Sequence, residues 1–297
     1  PLGMSQEDPT IVVTPINCNR FVGGAGIVAA HARGLGAQVT YFGVVGNDEA
    51  AEYSRTVLEE YGVAAHLIED DSRPTTLKQR YRARSKTLLR VSHLRQHDIS
   101  HELVKRLFER LGPAIDEADL LIFSDFNYGC LPQSLVDSVI DRCTRNDVMM
   151  AADSQASSQV CDISRFQGMH LITPTEHEAR LSYRDATSGL VFLADNLQRK
   201  AKAKYIFITL GAEGLLIHAP CSLQNGLITD QLPSFNSAPK DVSGGGDSLL
   251  TCASMSLAVG ATVWESGYLG SIAAACQVGR VGNLPLSAYE IINELSL

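Results

Sequence analysis

Strand-length apolar runs alternate along this chain with stretches of helical spacing, and that alternation limits the possible folds more than any other feature. The runs are Ile11–Val13, Val39–Val45, Leu120–Phe123, Val148–Ala152, Leu171–Thr173, Tyr205–Leu210 and Leu215–His218. Several are apolar at every position, the pattern of strands covered on both faces. Helical spacing occupies residues 48–61, 100–112, 132–145, 189–203, 247–259 and 264–279, and 287–297 reads as a terminal helix. Strand and helix in alternation predict an α/β fold, a parallel sheet with helices on both sides.

Polar and glycine residues follow the runs. Val45 leads into Gly46-Asn47-Asp48, Phe123 into Ser124-Asp125, Ala152 into Asp153, Thr173 into Pro174-Thr175, and Leu210 into Gly211. Open α/β sheets bind ligands at the carboxyl ends of their strands, so a site is expected there. Residues 63–95 differ: Val63–Glu69, Thr75–Arg84 and Leu88–Leu94 read as short antiparallel strands rich in Arg and Lys, either a small lid beside the sheet or a surface meander.

The 297 residues suffice for one large α/β domain or two ordinary ones. A formal net charge of −8 argues against a nucleic-acid partner, which needs a basic face, but not against a phosphorylated ligand met by local cations. No apolar run approaches the ~18 residues of a membrane helix. The chain opens without the pattern of a secretory signal, and a cytoplasmic location is expected. The seven cysteines include no C-x-x-C pair and suit reduced thiols better than disulfides or zinc.

The strongest local signal is Asp241-Val242-Ser243-Gly244-Gly245-Gly246-Asp247-Ser248, running into an apolar helix. Three glycines let the backbone approach a ligand closely. The helix start adds free N–H groups and the positive end of a dipole, which together suit a phosphate. Asp247 is either a plain helix-start carboxylate or a base beside that phosphate. No Gly-Lys-Ser/Thr follows, so this is not a Walker A loop, and G-x-G-x-x-G is absent.

The segment resembles the second signature of the ribokinase (PfkB carbohydrate kinase) family, D-[TV]-[TS]-G-A-G-D, with Gly245 at the usual Ala. The resemblance implies a ribokinase-like three-layer sandwich with a mainly parallel sheet and a small β lid, as one domain over 1–297. It implies that the Gly244, Gly245, Gly246 and Asp247 amides form an anion hole, with Asp247 the catalytic base. Asp241 and Ser243 would lie near the phosphates of ATP. Three further segments fall in family order. Gly23-Gly24-Ala25-Gly26-Ile27, with Gly43-Val44-Val45-Gly46-Asn47-Asp48 after it, resembles the first signature, whose glycines approach the sugar; Ile27 replaces the usual Asn. Pro174-Thr175-Glu176-His177-Glu178 resembles P-N-x-x-E, which gives Thr175 a place at ATP and Glu178 a role on magnesium (Mg2+) through water. Thr209-Leu210-Gly211-Ala212-Glu213-Gly214 resembles the turn lining the nucleotide pocket, and Asn283 falls where members flank the adenine.

Within the family the resemblance is to heptose 7-phosphate kinase, the kinase part of ADP-heptose synthesis enzymes. It rests on Arg73-Pro74-Thr75-Thr76-Leu77-Lys78-Gln79-Arg80, Leu88-Leu89-Arg90 and Ser124-Asp125-Phe126-Asn127-Tyr128-Gly129. Lys78, Arg80 and Arg90 are expected to meet the phosphate of a small-molecule sugar phosphate, or else only to solvate the lid, and Asp125 to meet sugar hydroxyls. The reaction implied is ATP-dependent phosphorylation of heptose 7-phosphate to the 1,7-bisphosphate. A kinase of another sugar or nucleoside, and a non-catalytic binding module, are the alternatives.

Family members begin with a central strand that this sequence lacks, so the chain is expected to be part of a longer protein. A nucleotidyltransferase domain is a candidate companion. The lid, taken as strands near 8–16 and 63–95, implies a homodimer.

Overall fold

The computed structural model describes residues 2–4, 7, 11–83, 86–156, 161–221 and 226–296. In chain order these form β1 (Leu2–Met4), β2 (Ile11–Val13), α1 (Ala25–Gly34), β3 (Thr40–Val45), α2 (Glu49–Glu60), β4 (Ala64–Glu69), β5 (Leu77–Ala83) and β6 (Lys86–His93). Then come α3 (His101–Asp116), β7 (Leu120–Asp125), α4 (Gln133–Arg145), β8 (Met149–Ser154), β9 (Leu171–Ile172), α5 (Glu176–Tyr183), α6 (Leu190–Ala201) and β10 (Tyr205–Thr209). The last are β11 (Leu215–Cys221), β12 (Gly226–Leu232), α7 (Gly245–Ala258), α8 (Val263–Val278) and α9 (Ala288–Leu295).

The largest sheet has the order β12-β11-β10-β9-β8-β7. β7 to β10 run parallel, and β11 and β12 are antiparallel additions at one edge. The two-residue period of a strand sorts its side chains between two helical layers. Met150, Ala152, Ile172, Ile206, Ile208 and Leu216 face a core shared with α3, α4, α5 and α6. Their neighbours Ala151, Leu171, Phe207, Leu215 and Ile217 face α7 and α8. This is the three-layer arrangement that the unbroken apolar runs predict.

Helix starts follow local chemistry. Asp48 accepts from the Ala51 N–H at 2.9 Å to open α2, and Ser100 accepts from Leu103 to open α3. Capping boxes open α5, α8 and α9. Helical spacing was expected to end at Gly112, before Pro113, but α3 continues to Asp116. Pro113 removes one ladder bond. Buried Ile115 and the Arg142–Asp116 ion pair hold the last turn in place.

Two expectations for the lid are corrected. Val63–Glu69 does not join an antiparallel lid: β4 runs parallel to β3, from Thr40↔Ala64 to Val45↔Glu69. The reason is the intervening α2, a crossover of the kind that parallel neighbours require. Ala65 and Leu67 accordingly pack with Val22, Ala29 and Leu58. β2 pairs with β1 in a separate two-stranded sheet, not with the hairpin, and residues 8–10 of the expected strand lie outside the described residues. The lid proper is the antiparallel hairpin β5–β6; Arg84 lies outside the described residues.

Among the described residues, β3 pairs only with β4, and β7 pairs only with β8. The free edges of β3 and β7 both line one cleft of about 3520 Å³. The main-chain polar groups of those edges therefore have no ladder partner there.

A buried arginine ties the lid's base to the sheet. Arg73 donates to Asp70 Oδ2 at 2.7 Å, to the Tyr128 carbonyl at 2.9 Å and to the His97 carbonyl at 2.6 Å. Thr75 is held by Asp48 Oδ2 through its N–H at 2.8 Å, and its hydroxyl accepts from the Gly46 N–H. Arg73 and Thr75 of the Arg73–Arg80 motif are thus structural. Removing one partner leaves a buried charge uncompensated, so Arg73→Ala is expected to lose about 3–5 kcal/mol of stability. Denaturant unfolding of wild type and variant, with equal slopes, measures it.

Candidate active site

The amino end of α7 forms the centre of the site. Gly244 precedes the helix with φ 81°, a conformation that favours glycine. A Cβ at Gly244 would also meet Asn283 Oδ1 at 2.7 Å. The first N–H groups of a helix have no intrahelical acceptor, so this turn offers donors to an anion. Gly244, Gly246 and Asp247 line the cleft, while Gly245 packs against Val278. Ser248 braces the turn by donating to the carbonyls of Gly244 and Gly245, both at 2.9 Å.

Asp247 sits in the first turn of α7, 6% exposed. Its Oδ1 accepts from Gln155 Nε2 at 3.1 Å. Burial pushes its carboxyl up to about 6, against the opposing pull of the Lys78 charge and the Gln155 bond. A carboxylate with that value, at the edge of a cleft, suits a general base near neutrality.

The ends of the parallel strands bring two more acids to the same place. Asp125 ends β7 and is almost wholly buried. Its Oδ1 accepts from the Asn127 N–H at 2.9 Å, and its Oδ2 is 2.9 Å from an Arg165 guanidinium nitrogen. Asp153, near the end of β8, is raised well above the usual carboxylate range, first by burial and then by the charges of Glu178 and Asp247. Glu178 is engaged in the capping box of α5. Its Oε2 accepts from the N–H and hydroxyl of Thr175, each at 2.8 Å, and its Oε1 from the Ala156 N–H at 2.8 Å. Thr175 and Glu178 thus cap the start of α5, and both also line the cleft.

The glycine pair lies near the turn, with Asn283 between Gly23 and Gly244. Gly24 caps α1 at φ 58°, and a Cβ there would press on the Phe126 ring at 3.2 Å. Gly23 and Gly24 both line the cleft. Ile27 turns the other way, fully buried in the core. Lys78 reaches in from β5, its Nζ 4.6 Å from the centre of the Phe126 ring and 5.1 Å from that of Tyr128. Arg80 also lines the cleft, whereas Arg90 lies directly across from it on the exposed β6 and is not among the lining residues.

On the nucleotide side of the expected site, Asp241, Ser243 and Thr209 line the cleft. The carboxyl of Asp241 is opposed by burial, yet the Ser243 bonds and Arg82 bring it below the ordinary range. Gly211 and Gly214 do not line this cleft. Gly214 serves packing instead, since a Cβ there would stand 2.0 Å from the Leu232 carbonyl on β12. Asn283 was expected beside an adenine. It lies between Gly23 and Gly244, at the phosphate turn, with Oδ1 buried and without a hydrogen-bond partner among the described residues.

Sequence reasoning missed Gln155, Arg165, Asn127 and Arg82, and noted Asp153 only as a polar residue after a run. Gln155, Arg165 and Arg82 each act through a contact with a residue far away in the chain, whereas Asn127 acts through its main-chain N–H on Asp125, two residues before it. The assembled site has a donor-rich turn, a raised carboxylate beside it, a second held carboxylate, and cations from the lid. That set can hold a phosphate and take a proton from a nearby hydroxyl.

Comparison with known proteins gives the same picture. Residues 4–287 match the pfkB family carbohydrate kinase. The bifunctional protein HldE of Helicobacter hepaticus is 30% identical over 293 residues, covering 97% of this chain and 59% of that protein. The bifunctional protein HldE of Sulfurimonas denitrificans is 27% identical over 296 residues, with the same shares. The chain thus spans about three-fifths of the length of these curated relatives. Among solved structures, phosphofructokinase-2 from Escherichia coli in complex with substrates and products superposes with a TM-score of 0.74, at 16% identity, over 99% of this chain and 93% of that one. Ribokinase from Thermotoga maritima gives 0.73 at 17% identity over the same shares. The fold is ribokinase-like. The match over nearly the whole length, with the glycine turn and Asp247 at the head of one cleft, places the chain in the pfkB family of carbohydrate kinases.

Proposed function

We propose that the chain transfers the terminal phosphate of ATP to a hydroxyl of a sugar phosphate, with heptose 7-phosphate as acceptor and the 1,7-bisphosphate as product. The observation that carries the transfer is Asp247: a raised, buried carboxylate on the turn whose amides suit a phosphate. The heptose rests on the resemblance of the lid and Ser124–Gly129 motifs, and on the HldE relatives.

In this reading the acceptor sugar lies beside Gly23 and Gly24, both of which line the cleft. Asp125 accepts from its hydroxyls, held in place by Asn127 and Arg165. Lys78 and Arg80, both on the cleft wall, meet the phosphate already on the sugar, whereas Arg90 stands outside the lining and takes no part. Asp247 takes the proton of the attacking hydroxyl, and Gln155 fixes its orientation. Asp241, Ser243, Thr209 and Asn283 border the nucleotide. Among the described residues no group of three or more His, Cys, Asp or Glu side chains can hold a metal. Beside a nucleotide, magnesium takes most of its ligands from phosphate and water. Glu178 and Asp153 would face its water shell. When bound, the ion neutralises charge developing on the transferred group.

The gap between β3 and β7 suits a further parallel strand, and a strand supplied there would complete the sheet. A nucleotidyltransferase domain in the full-length protein is proposed by likeness to the longer HldE relatives. Leu77 and Leu89 are exposed on the hairpin, which favours a homodimer through the lid. No helix among the described residues is long and apolar enough to cross a membrane; a cytoplasmic location is part of the proposal. A binding-only module is the second reading, favoured by Ile27 in place of a polar contact and by the interrupted sheet. Ligand binding without turnover across a sugar panel selects it.

The decisive assay follows magnesium-dependent ADP release with a panel of phosphorylated and free sugars. Asp247→Asn is expected to lower kcat by about 10²–10⁴-fold while nucleotide affinity, measured by calorimetry, stays near wild type. Wild-type turnover in that variant rejects the base. The pH profile gives a separate check. Asp247 works as the ionised form, and its carboxyl is raised to about 6. The active form is therefore lost as pH falls through 6, and kcat/KM should drop about tenfold per pH unit below it and level off above. A flat profile from pH 5 to 8 contradicts the assignment.

A further inference from the structure

The lid carries a cation that neither the motifs nor the proposed chemistry assign. On β5, Lys78, Arg80 and Arg82 stand at alternate positions. The ladder with β6 slips between Tyr81 and Arg82: Tyr81 faces Leu89, but Arg82 faces Thr87. A slip of this kind bends a strand and re-aims the side chains beside it. Arg82 ends over the glycine turn rather than over the sugar side. One guanidinium nitrogen is 2.7 Å from Asp241 Oδ2, and the other donates to the Lys240 carbonyl at 3.1 Å. Asp241 is itself fastened, its Oδ1 accepting from the Ser243 N–H at 3.1 Å. Arg82 therefore holds Asp241, three residues before Gly244, the first glycine of the turn that faces the cleft.

We infer that Arg82 is a ligand of the nucleotide's terminal phosphate, supplied by the lid, and that Asp241 holds its place until the phosphate arrives. The inference rests on the kinase reading above. Three observations support it. The cleft is lined by acids, Asp125, Asp153, Glu178, Asp241 and Asp247, and a triphosphate entering there needs cations to balance them. Lys78 acts on Asp247, at the acceptor end. Arg82 is the lid cation held at the other end of the turn. Second, a carboxylate oxygen 2.7 Å from a guanidinium occupies the geometry a phosphate oxygen takes, since the planar fork serves both. Third, the pair is partly exposed, at 24% and 14% of the two side chains. Water reaches both groups, and a phosphate carrying more charge than the carboxylate competes with it for the guanidinium. The exchange would pin the lid over a loaded site and leave it looser over an empty one.

The test is calorimetric titration of the full chain with a non-hydrolysable ATP analogue and with ADP, both in magnesium, for wild type, Arg82→Gln and Arg82→Lys. Arg82→Gln is expected to weaken the analogue by about 10–100-fold, the loss of a charged two-point contact, while ADP affinity changes less than about threefold. Arg82→Lys should recover part of the loss, since it keeps the charge without the fork. Equal affinity of wild type and Arg82→Gln for the analogue overturns the inference. So does an equal loss for both nucleotides, which marks a structural role for the lid contact. A wild type that binds neither nucleotide removes the kinase reading itself and this inference with it. Wild-type binding of both, with an unchanged variant, removes the inference alone.

Discussion

A carboxylate buried at the amino end of a helix is the constraint around which this cleft is arranged. Asp247 lies where water is scarce, so its charged form is disfavoured and its proton held more tightly than in solution. The compensation is partial: one amide bond from Gln155 and the charge of Lys78 at a distance. Full compensation, such as a paired arginine, would hold the proton off at all ordinary pH and leave a poor base. Helix α7 keeps the group there because Leu249, Leu250 and Ala253 are locked into the core beneath β8 to β11.

The parallel sheet supplies the rest. Strands that run the same way deliver their carboxyl ends to one edge, and the residues after those ends cannot be covered by the helical layers. Asp125, Asp153 and Thr173 arrive there from β7, β8 and the end of β9. Asp153 shows what such crowding does: burial, and then the charges of Glu178 and Asp247, raise its proton affinity. Relief comes from outside the sheet: Arg165 on Asp125, and from the hairpin Lys78 on Asp247 and Arg82 on Asp241. The lid is thus an electrostatic partner of the floor as well as a cover.

Much of this was legible before any coordinates. The large sheet, its helices and the glycine turn follow from apolar periods and from one local motif, because those signals depend on neighbours in the chain. β4 was misread, since a strand of alternating pattern says nothing about the direction of its partner; α2 decided that by carrying the chain back across the sheet. The Arg73–Arg80 motif mixed two functions that spacing could not separate, a buried anchor at Arg73 and a cleft cation at Lys78. β12 was not anticipated, since it is mostly exposed and lacks a continuous apolar run.

By itself, the sequence determined the α/β class, the alternation of strands and helices, the phosphate-suited turn and the family, since each is written in local pattern. Tertiary structure alone decided which charges meet. Gln155 reaches Asp247, Arg165 reaches Asp125, and Arg82 reaches Asp241 across 159 residues. Long-range contacts of this kind depend on how the layers close over one another, and no local period records that closure.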